Sequence, residues 1–557
     1  MCYGLRVRHL SRALVGVVVI AVVTFIAHST ALHGEFVSDD IPTIRDNPLI
    51  RSLDWAHVRE IFRTFDASNY MPLKVLSLAI DYRMWGPTPF GFHVTNIGIH
   101  VLCALVVYAI LRRLELGAYA ALFTALLWAV HPLQVESVAW ISERKNVLSG
   151  LFFFAAFYVY LAYSEHGRLR AYVAMVALYI LALVSKMNTM VLPAVCLAFE
   201  IAFRFRLRAR DLLASVPLFA LAVLVGWYNV AGNPIHGGDY EGGSAIVTWL
   251  SSSVVIFRYL GNLVLPTHLS SYYEVPLRGS LLDLPVLCAV LGLLALAAAT
   301  VSCIVGRRRE GFWMLWFGIT LAPMLNIIPF RSMMNDRYMY LPMFGPLALV
   351  AGALSGAARA PRARVPVAML ASIAIVAYGG LAYRRGEVWA SPMSLWRDWA
   401  VQDLYVPGDP IYRQDQFETK IAVLRGAIEH DPSSVPAHNN VGALYFEAGR
   451  FDEAVAELET ARTLDPDNAT VLSTLGRAYA YSSRLSDGAT LLERAVALAP
   501  YSFLHNLHLA RVYLALGDAS GARRALEACA RIRPTIFASS AVLKQERDAL
   551  QRLQAAQ

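Results

Sequence analysis

The sequence predicts an all-α protein in two parts: a polytopic membrane helix bundle of about eleven spans, followed by an α-solenoid. Three observations carry this reading. Apolar segments follow one another from Ala13 to Tyr383, each approaching the ~20 residues needed to cross a hydrocarbon core. After about residue 384 the chain becomes water-soluble and repeats every 34 residues: Pro432, Pro466, Pro500 and Pro534 fall at that interval, as do Tyr445, Tyr479 and Tyr513. The mean hydropathy is +0.47 even with this hydrophilic tail averaged in, and only 16% of residues are charged, a composition typical of integral membrane proteins.

The predicted spans run roughly over 13–33, 92–111, 118–138, 146–163, 171–185, 188–203, 211–230, 281–304, 312–330, 338–356 and 365–383. Arginines cluster between them: Arg6, Arg8 and Arg12; Arg112 and Arg113; Arg204, Arg206, Arg208 and Arg210; Arg307 to Arg309; Arg362 and Arg364. Placing every cluster in the cytoplasm makes the spans alternate consistently. The N-terminus is then cytoplasmic and the repeats outside, which in a bacterial inner membrane means the periplasm. Residues 246–265 are apolar enough to span, but counting them would put Arg307 to Arg309 on the wrong side, so a helix at or re-entering the outer surface is expected there. The basic start, apolar stretch and Ser29-Thr30-Ala31 resemble a signal peptide, and the spans that follow favour an uncleaved anchor.

The net charge of +8 belongs to these loops. No basic stripe with interleaved aromatics occurs in the soluble part, which argues against nucleic acid as a partner. Four of the six cysteines lie in apolar segments and none forms a CxxC pair, so neither a disulfide framework nor a zinc site is expected.

In the tail each unit holds two helices, for example 437–448 and 451–464. Gly442 recurs as Gly476, and Ala454 as Gly488 and Ala522, small residues that let paired helices approach. Period, helix pair, small positions and terminal proline together match the tetratricopeptide repeat. Three full units span about 433–534, with 417–431 as the second helix of an earlier unit and 539–555 as a polar cap. The domain division is 1–390 for the membrane body, including a first outer loop at 34–91, then 391–416 as linker and 417–557 as the repeat arm. Such an array binds a peptide or protein; a passive spacer is the plainer alternative.

On this topology the outer face receives 34–91, the loop around 131–146, the turn near Lys186, the Gly-rich stretch 231–244 and 331–337. The first loop carries Asp39-Asp40, followed by Asn47-Pro48. Adjacent carboxylates are costly to desolvate together, so one can be raised towards neutral pKa and serve as a general base. A helix cap or solvated pair ahead of Pro42 is the plainer reading. The same face offers His131, Glu136, Glu143, Arg144, Lys145, Lys186, Arg331, Asn335, Asp336, Arg337 and Tyr338. Ionisable groups at a membrane boundary are functional candidates, while Lys, Arg and Tyr also serve there as interfacial anchors. Together they suit group transfer. An outward-facing transferase needs a donor carried by the membrane, one carboxylate to take the proton of an acceptor hydroxyl, and cations to hold a phosphate leaving group. In the membrane body no Asp-x-Asp and no His/carboxylate box demands a metal.

The order Phe36-Val-Ser-Asp39-Asp40, Asn47-Pro48, Tyr70-Met-Pro72-Leu73, Trp85-Gly86, Gly91-Phe92-His93, His131-Pro132, Glu136, Glu143-Arg144-Lys145, Ser185-Lys186, Arg258-Tyr-Leu and Asp336-Arg337-Tyr338 resembles the transmembrane and tetratricopeptide-repeat-containing (TMTC) proteins and their bacterial relatives, themselves related to protein O-mannosyltransferases. The resemblance implies a class C glycosyltransferase fold. It implies transfer of a sugar, often mannose, from a polyprenyl phosphate to protein Ser or Thr, with the base at Asp39 or Asp40. Donor phosphate would rest on Arg337, Lys186 and Arg144, with His131, Glu136, Glu143, Asp336, Tyr338, Asn47 and His93 as supporting polar groups. The expected partners are therefore a polyprenyl-phosphate sugar, a protein or peptide acceptor on the repeats, and membrane lipid. Two rivals are a non-catalytic scaffold organising an envelope assembly and a transferase acting on a glycan or lipid.

Overall fold

The computed structural model describes residues 2–66, 69–232, 239–330, 332–402 and 417–556. Arg331, residues 233–238 of the Gly-rich stretch and residues 403–416 of the expected linker lie outside the described residues. Among the described residues every regular element is helical, apart from one isolated bridge between Asp66 and Asn69.

Among the described residues, seven helical stretches are long and apolar enough to cross a membrane: Leu14–His33, Pro89–Arg113, Ile141–His166, Ala209–Ala231, Ala245–Val264, Leu284–Val305 and Pro361–Trp389. In Leu284–Val305 only 6% of the apolar window is buried inside the protein; Leu284, Leu291, Leu294 and Val305 all point outward. A helix so exposed and so apolar is stable only in lipid, where its backbone bonds are satisfied internally. The chain is an integral membrane protein.

The remaining apolar segments form helices shorter or more broken than expected. Segment 118–138 is a pair, Ala118–Val130 and Pro132–Ala139, bent by 53°. Pro132 has no N–H to give the helix, and His131 Nδ1 accepts from Leu133 N at the break. Segments 171–185, 188–203 and 338–356 are the shorter helices Leu169–Leu183, Met187–Ala202 and Phe344–Ala357. Segment 312–330 ends early as helix Glu310–Leu321. The count of eleven therefore becomes seven spanning-length helices, or eight with the bent pair. Segment 246–265 forms the 20-residue helix Ala245–Val264, long and apolar enough to cross a membrane, with 56% of its window buried.

The repeat arm follows the pattern of small residues. A Cβ on Gly442 would press on Leu458 and the Ala454 carbonyl, and one on Gly476 would press on the Gly488 carbonyl. Helix Phe417–His430 opens the stack and helix Ala541–Ala556 covers its far end, with Leu543 packed on Leu507 and Cys529. The linker is not featureless. Residues Pro392–Gln402 are a helix whose Trp396, Trp399 and Ala400 belong to the first core of the arm. The arm also returns to the membrane body. Arg533 Nη2 reaches both oxygens of Glu241 at 2.6 Å, and Thr535 Oγ1 donates to Asp239 at 2.8 Å. Gly243, at φ +74°, lies against the Arg531 carbonyl, leaving no room for a side chain.

Candidate active site

Four short pieces of irregular backbone meet at one end of the bundle: the loop after the first span, the segment around the bend at His131, the turn at Lys186, and the Asp336–Met339 turn. Local sequence sets each one. Ser38 holds a left-handed φ of 49°, which turns the chain into the short helix Ile41–Arg45. Asn47 caps the next turn by accepting from Leu49 N at 2.9 Å.

The two adjacent aspartates have different surroundings. Asp40 is fully buried and works as a clasp: its carboxylate accepts from Ser142 N at 2.7 Å and Val37 N at 3.1 Å. Burial pushes its pKa up to about 7, against the pull of those hydrogen bonds. Asp39 is half-buried. Its carbonyl is pinned by Thr43, through N at 3.0 Å and Oγ1 at 2.6 Å. No hydrogen bond or ion pair holds its carboxylate among the described residues, and its charge acts on Lys145.

Around Glu143 three cations converge. Lys145 Nζ lies 2.8 Å and Arg337 Nε 3.4 Å from Oε1, and Lys186 Nζ lies 3.8 Å from Oε2. Glu136 fixes Arg337 from the other side, pairing with its guanidinium and accepting from its backbone N at 2.7 Å. Asn146 ties the group together, accepting from Lys186 Nζ and donating to Ser137 Oγ at 3.1 Å. The Trp140 ring forms a floor, 5.3 Å from Arg337 and 6.0 Å from Lys145. The side chains of Arg337, Lys145 and Lys186 retain 18%, 17% and 14% exposure while Glu143 has none. The three cations therefore keep exposed nitrogen-bearing ends that an incoming phosphate can reach. Burial pulls the Lys186 ammonium down to about 8, so an anion beside it would be stabilising.

The structure corrects one expected phosphate ligand. Arg144 has no exposure, and its Nη2 and Nε are held by Asp81 at 2.6 Å, the Phe92 carbonyl at 3.0 Å and Asn96. It ties helix Pro89–Arg113 to helix Arg144–His166, and the next residue, Lys145, faces the cluster instead. A helix turns about 100° per residue, so neighbouring basic residues cannot share a face; only the fold says which faces the site. His131 caps the bend and meets the Leu263 carbonyl at 3.0 Å, Asn47 is a turn cap, and His93 is buried under Gly34. These three support the frame rather than face the cations. Tyr338 lies 5.4 Å from the Arg337 guanidinium. Asp336 accepts from Tyr273 OH at 2.7 Å and is raised to about 7 by burial. Among the described residues no three His, Cys, Asp or Glu side chains are grouped to hold a metal ion.

Residues 77–228 match the family described as dolichyl-phosphate-mannose-protein mannosyltransferase. That segment contains Glu136, Glu143, Lys145 and Lys186 and begins after Asp39. Residues 442–481 match a TPR repeat and 473–535 a tetratricopeptide repeat. The chain is similar to Protein O-mannosyl-transferase TMTC1 of Mus musculus, 36% identical over 152 residues, which is 26% of this chain and 16% of that protein. It is also similar to Protein O-mannosyl-transferase F38B6.6 of Caenorhabditis elegans, 24% identical over 369 residues, 60% of this chain and 50% of that protein. Protein O-mannosyl-transferase TMTC4 of Homo sapiens is 32% identical over 164 residues, 26% of this chain and 22% of that protein. The chain thus spans half or less of the length of these relatives. The crystal structure of MamA aligns with 25% of this chain and 85% of that chain at 23% identity; its TM-score of 0.22 carries no argument. In one chain, a segment similar to the mannosyltransferase family precedes segments that match tetratricopeptide repeats.

Proposed function

We propose that the chain is a membrane glycosyltransferase. It moves a sugar, mannose first among the candidates, from a polyprenyl-phosphate donor to hydroxyl groups of protein acceptors on the outer face of the membrane. The carrying observation is a half-buried carboxylate, Asp39, with no hydrogen bond or ion pair among the described residues, whose charge acts on Lys145, one of three partly exposed cations gathered around Glu143. The likeness to protein O-mannosyl-transferases supports the same reading.

In the reaction, Asp39 takes the proton of the acceptor hydroxyl as its oxygen bonds to the sugar C1. The bond from C1 to the phosphate oxygen breaks, and the electron pair leaves with the polyprenyl phosphate. Lys145, Lys186 and Arg337 neutralise the charge that grows there. Glu143 and Glu136 hold the cations apart and aimed in the absence of donor. A phosphoester oxygen is a competent leaving group, so the site needs no strong general acid. With Asp40 committed to Ser142 and Val37, Asp39 serves as the base, and a single displacement by the acceptor oxygen inverts the anomeric centre. The arginine clusters support a cytoplasmic N-terminus and, in a bacterial cell, a periplasmic repeat arm that recruits the acceptor.

The test is transfer by purified full-length protein in lipid vesicles, from polyprenyl-phosphate [³H]mannose to a Ser/Thr-rich peptide. Labelled peptide is expected with the wild type and not with Asp39→Asn. No labelled product from the wild type, with donor intact, would overturn the proposal.

A further inference from the structure

The root of the arm is built into the site. Helix Pro392–Gln402 belongs to the arm through Trp396, Trp399 and the Ala400 carbonyl, which accepts from Asn440 Nδ2 at 2.7 Å. Yet its Asp398 is bound to the membrane body. One oxygen lies 2.5 Å from Arg385 Nη1, and the other accepts from Ser271 N at 2.9 Å.

Ser271 is part of a four-residue turn, Ser270–Tyr273, that faces two ways. Towards the arm, the Tyr272 ring packs edge-on against Trp399 at 6.2 Å. Towards the site, Tyr273 OH accepts from Ser270 N at 3.1 Å and donates to Asp336 at 2.7 Å. The next residue after Asp336 is Arg337. A second route runs beside this one. Trp389, just before the arm root, stacks on Trp140 at 5.1 Å and 18°, and the Trp140 ring is the floor beneath Arg337 and Lys145. The Ala390 carbonyl also accepts from Glu35 N at 2.8 Å, in the loop that carries Asp39.

Resting on the reading of this site as a polyprenyl-phosphate transferase, we propose that Asp398 is a positioning residue: by holding Arg385 and the Ser270–Tyr273 turn, it seats Asp336 and Arg337 for the donor phosphate, so the arm governs donor affinity. The physical reason is the burial of Arg385. A buried guanidinium that loses its partner is strongly destabilised and seeks another carboxylate. Asp336 is close enough for the Arg385 charge to act on it. Losing Asp398 draws Arg385 towards Asp336, displaces the Tyr273 hydroxyl and moves the backbone of Arg337.

The experiment uses the purified full-length chain and two readouts. One is Kd for a fluorescent short-chain polyprenyl phosphate; the other is KM and kcat for polyprenyl-phosphate mannose. Asp398→Asn and Tyr273→Phe should each weaken donor affinity about tenfold, inside the ~5–150-fold range of coupled sites, with kcat within about twofold of the wild type. Asp398→Glu, which keeps the charge, should recover most of the affinity. Unchanged Kd in both Asp398→Asn and Tyr273→Phe, in protein that elutes and melts as the wild type does, overturns the coupling. A fall in kcat and thermal midpoint with Kd unchanged also overturns it and leaves the root a plain attachment. Absence of transfer by a wild type that still binds the lipid contradicts the proposed function, while the Kd comparison still decides this inference. A wild type that binds no lipid overturns both.

Discussion

Asp39 and Asp40 differ by one position and by their access to water. Asp40 spends both oxygens on backbone N–H groups of two segments. Asp39 keeps its carboxylate uncommitted beside Lys145. Asp39→Asn should therefore lower turnover by ~10²–10⁴-fold, the usual cost of losing a general base, with donor affinity intact in a binding assay. Arg337→Ala should show the opposite pattern, weaker donor binding first, because a charge-assisted contact to phosphate is lost. Asp40→Ala should act on folding: it strands two buried N–H groups at about 1–3 kcal/mol each, read as a lower thermal midpoint in detergent. A pH dependence follows from burial. The pKa of Asp40 rises from 3.8 to about 7 in the fold. A carboxyl whose folded pKa lies above its unfolded value adds stability below the unfolded value, and that contribution is lost as pH rises through the folded one. The thermal midpoint should fall between pH 5 and pH 8, less so in Asp40→Asn; a midpoint rising across that range would contradict the burial argument. The sequence made the acidic pair legible through composition and position. It left open which aspartate faces the cations, because that depends on Ser142 and Val37 closing on one carboxylate only. For the same reason the sequence does not say whether Arg144 or Lys145 faces the donor: adjacent basic residues look alike until the helix phase is known.

At the scale of elements, apolar length was readable and element ends were not. Hydropathy located all eleven apolar stretches but could not see that Pro132 bends one by 53° or that Glu310–Leu321 stops after 12 residues. The repeat arm was more legible, because a 34-residue period repeats the same small-residue contacts. Its docking was not, since it depends on residues as distant as Glu241 and Arg533. Gly243→Val tests that docking. The new side chain would collide with the Arg531 carbonyl at a φ of +74°, where a β-branched residue is strained. The arm's far end should come loose, seen as loss of an engineered disulfide between positions 239 and 535. Transfer to intact protein acceptors should drop more than transfer to a short peptide. Equal transfer to both would count against acceptor recruitment by the arm.

On the proposed function, the whole molecule joins a site for a lipid-linked donor to the repeat arm on one face of the membrane. A periplasm-active reporter fused after Gln557 should be active and a cytoplasm-active one silent; the reverse would put Asp39 on the other face as well. The central claim is that this chain glycosylates proteins through Asp39. The most direct measurement is glycopeptide mass spectrometry of envelope proteins from cells carrying the wild-type chain, no chain, or Asp39→Asn. Hexose on Ser and Thr of a defined set of proteins should be present with the wild type and absent from the other two. An identical set of glycopeptides in all three would contradict the claim.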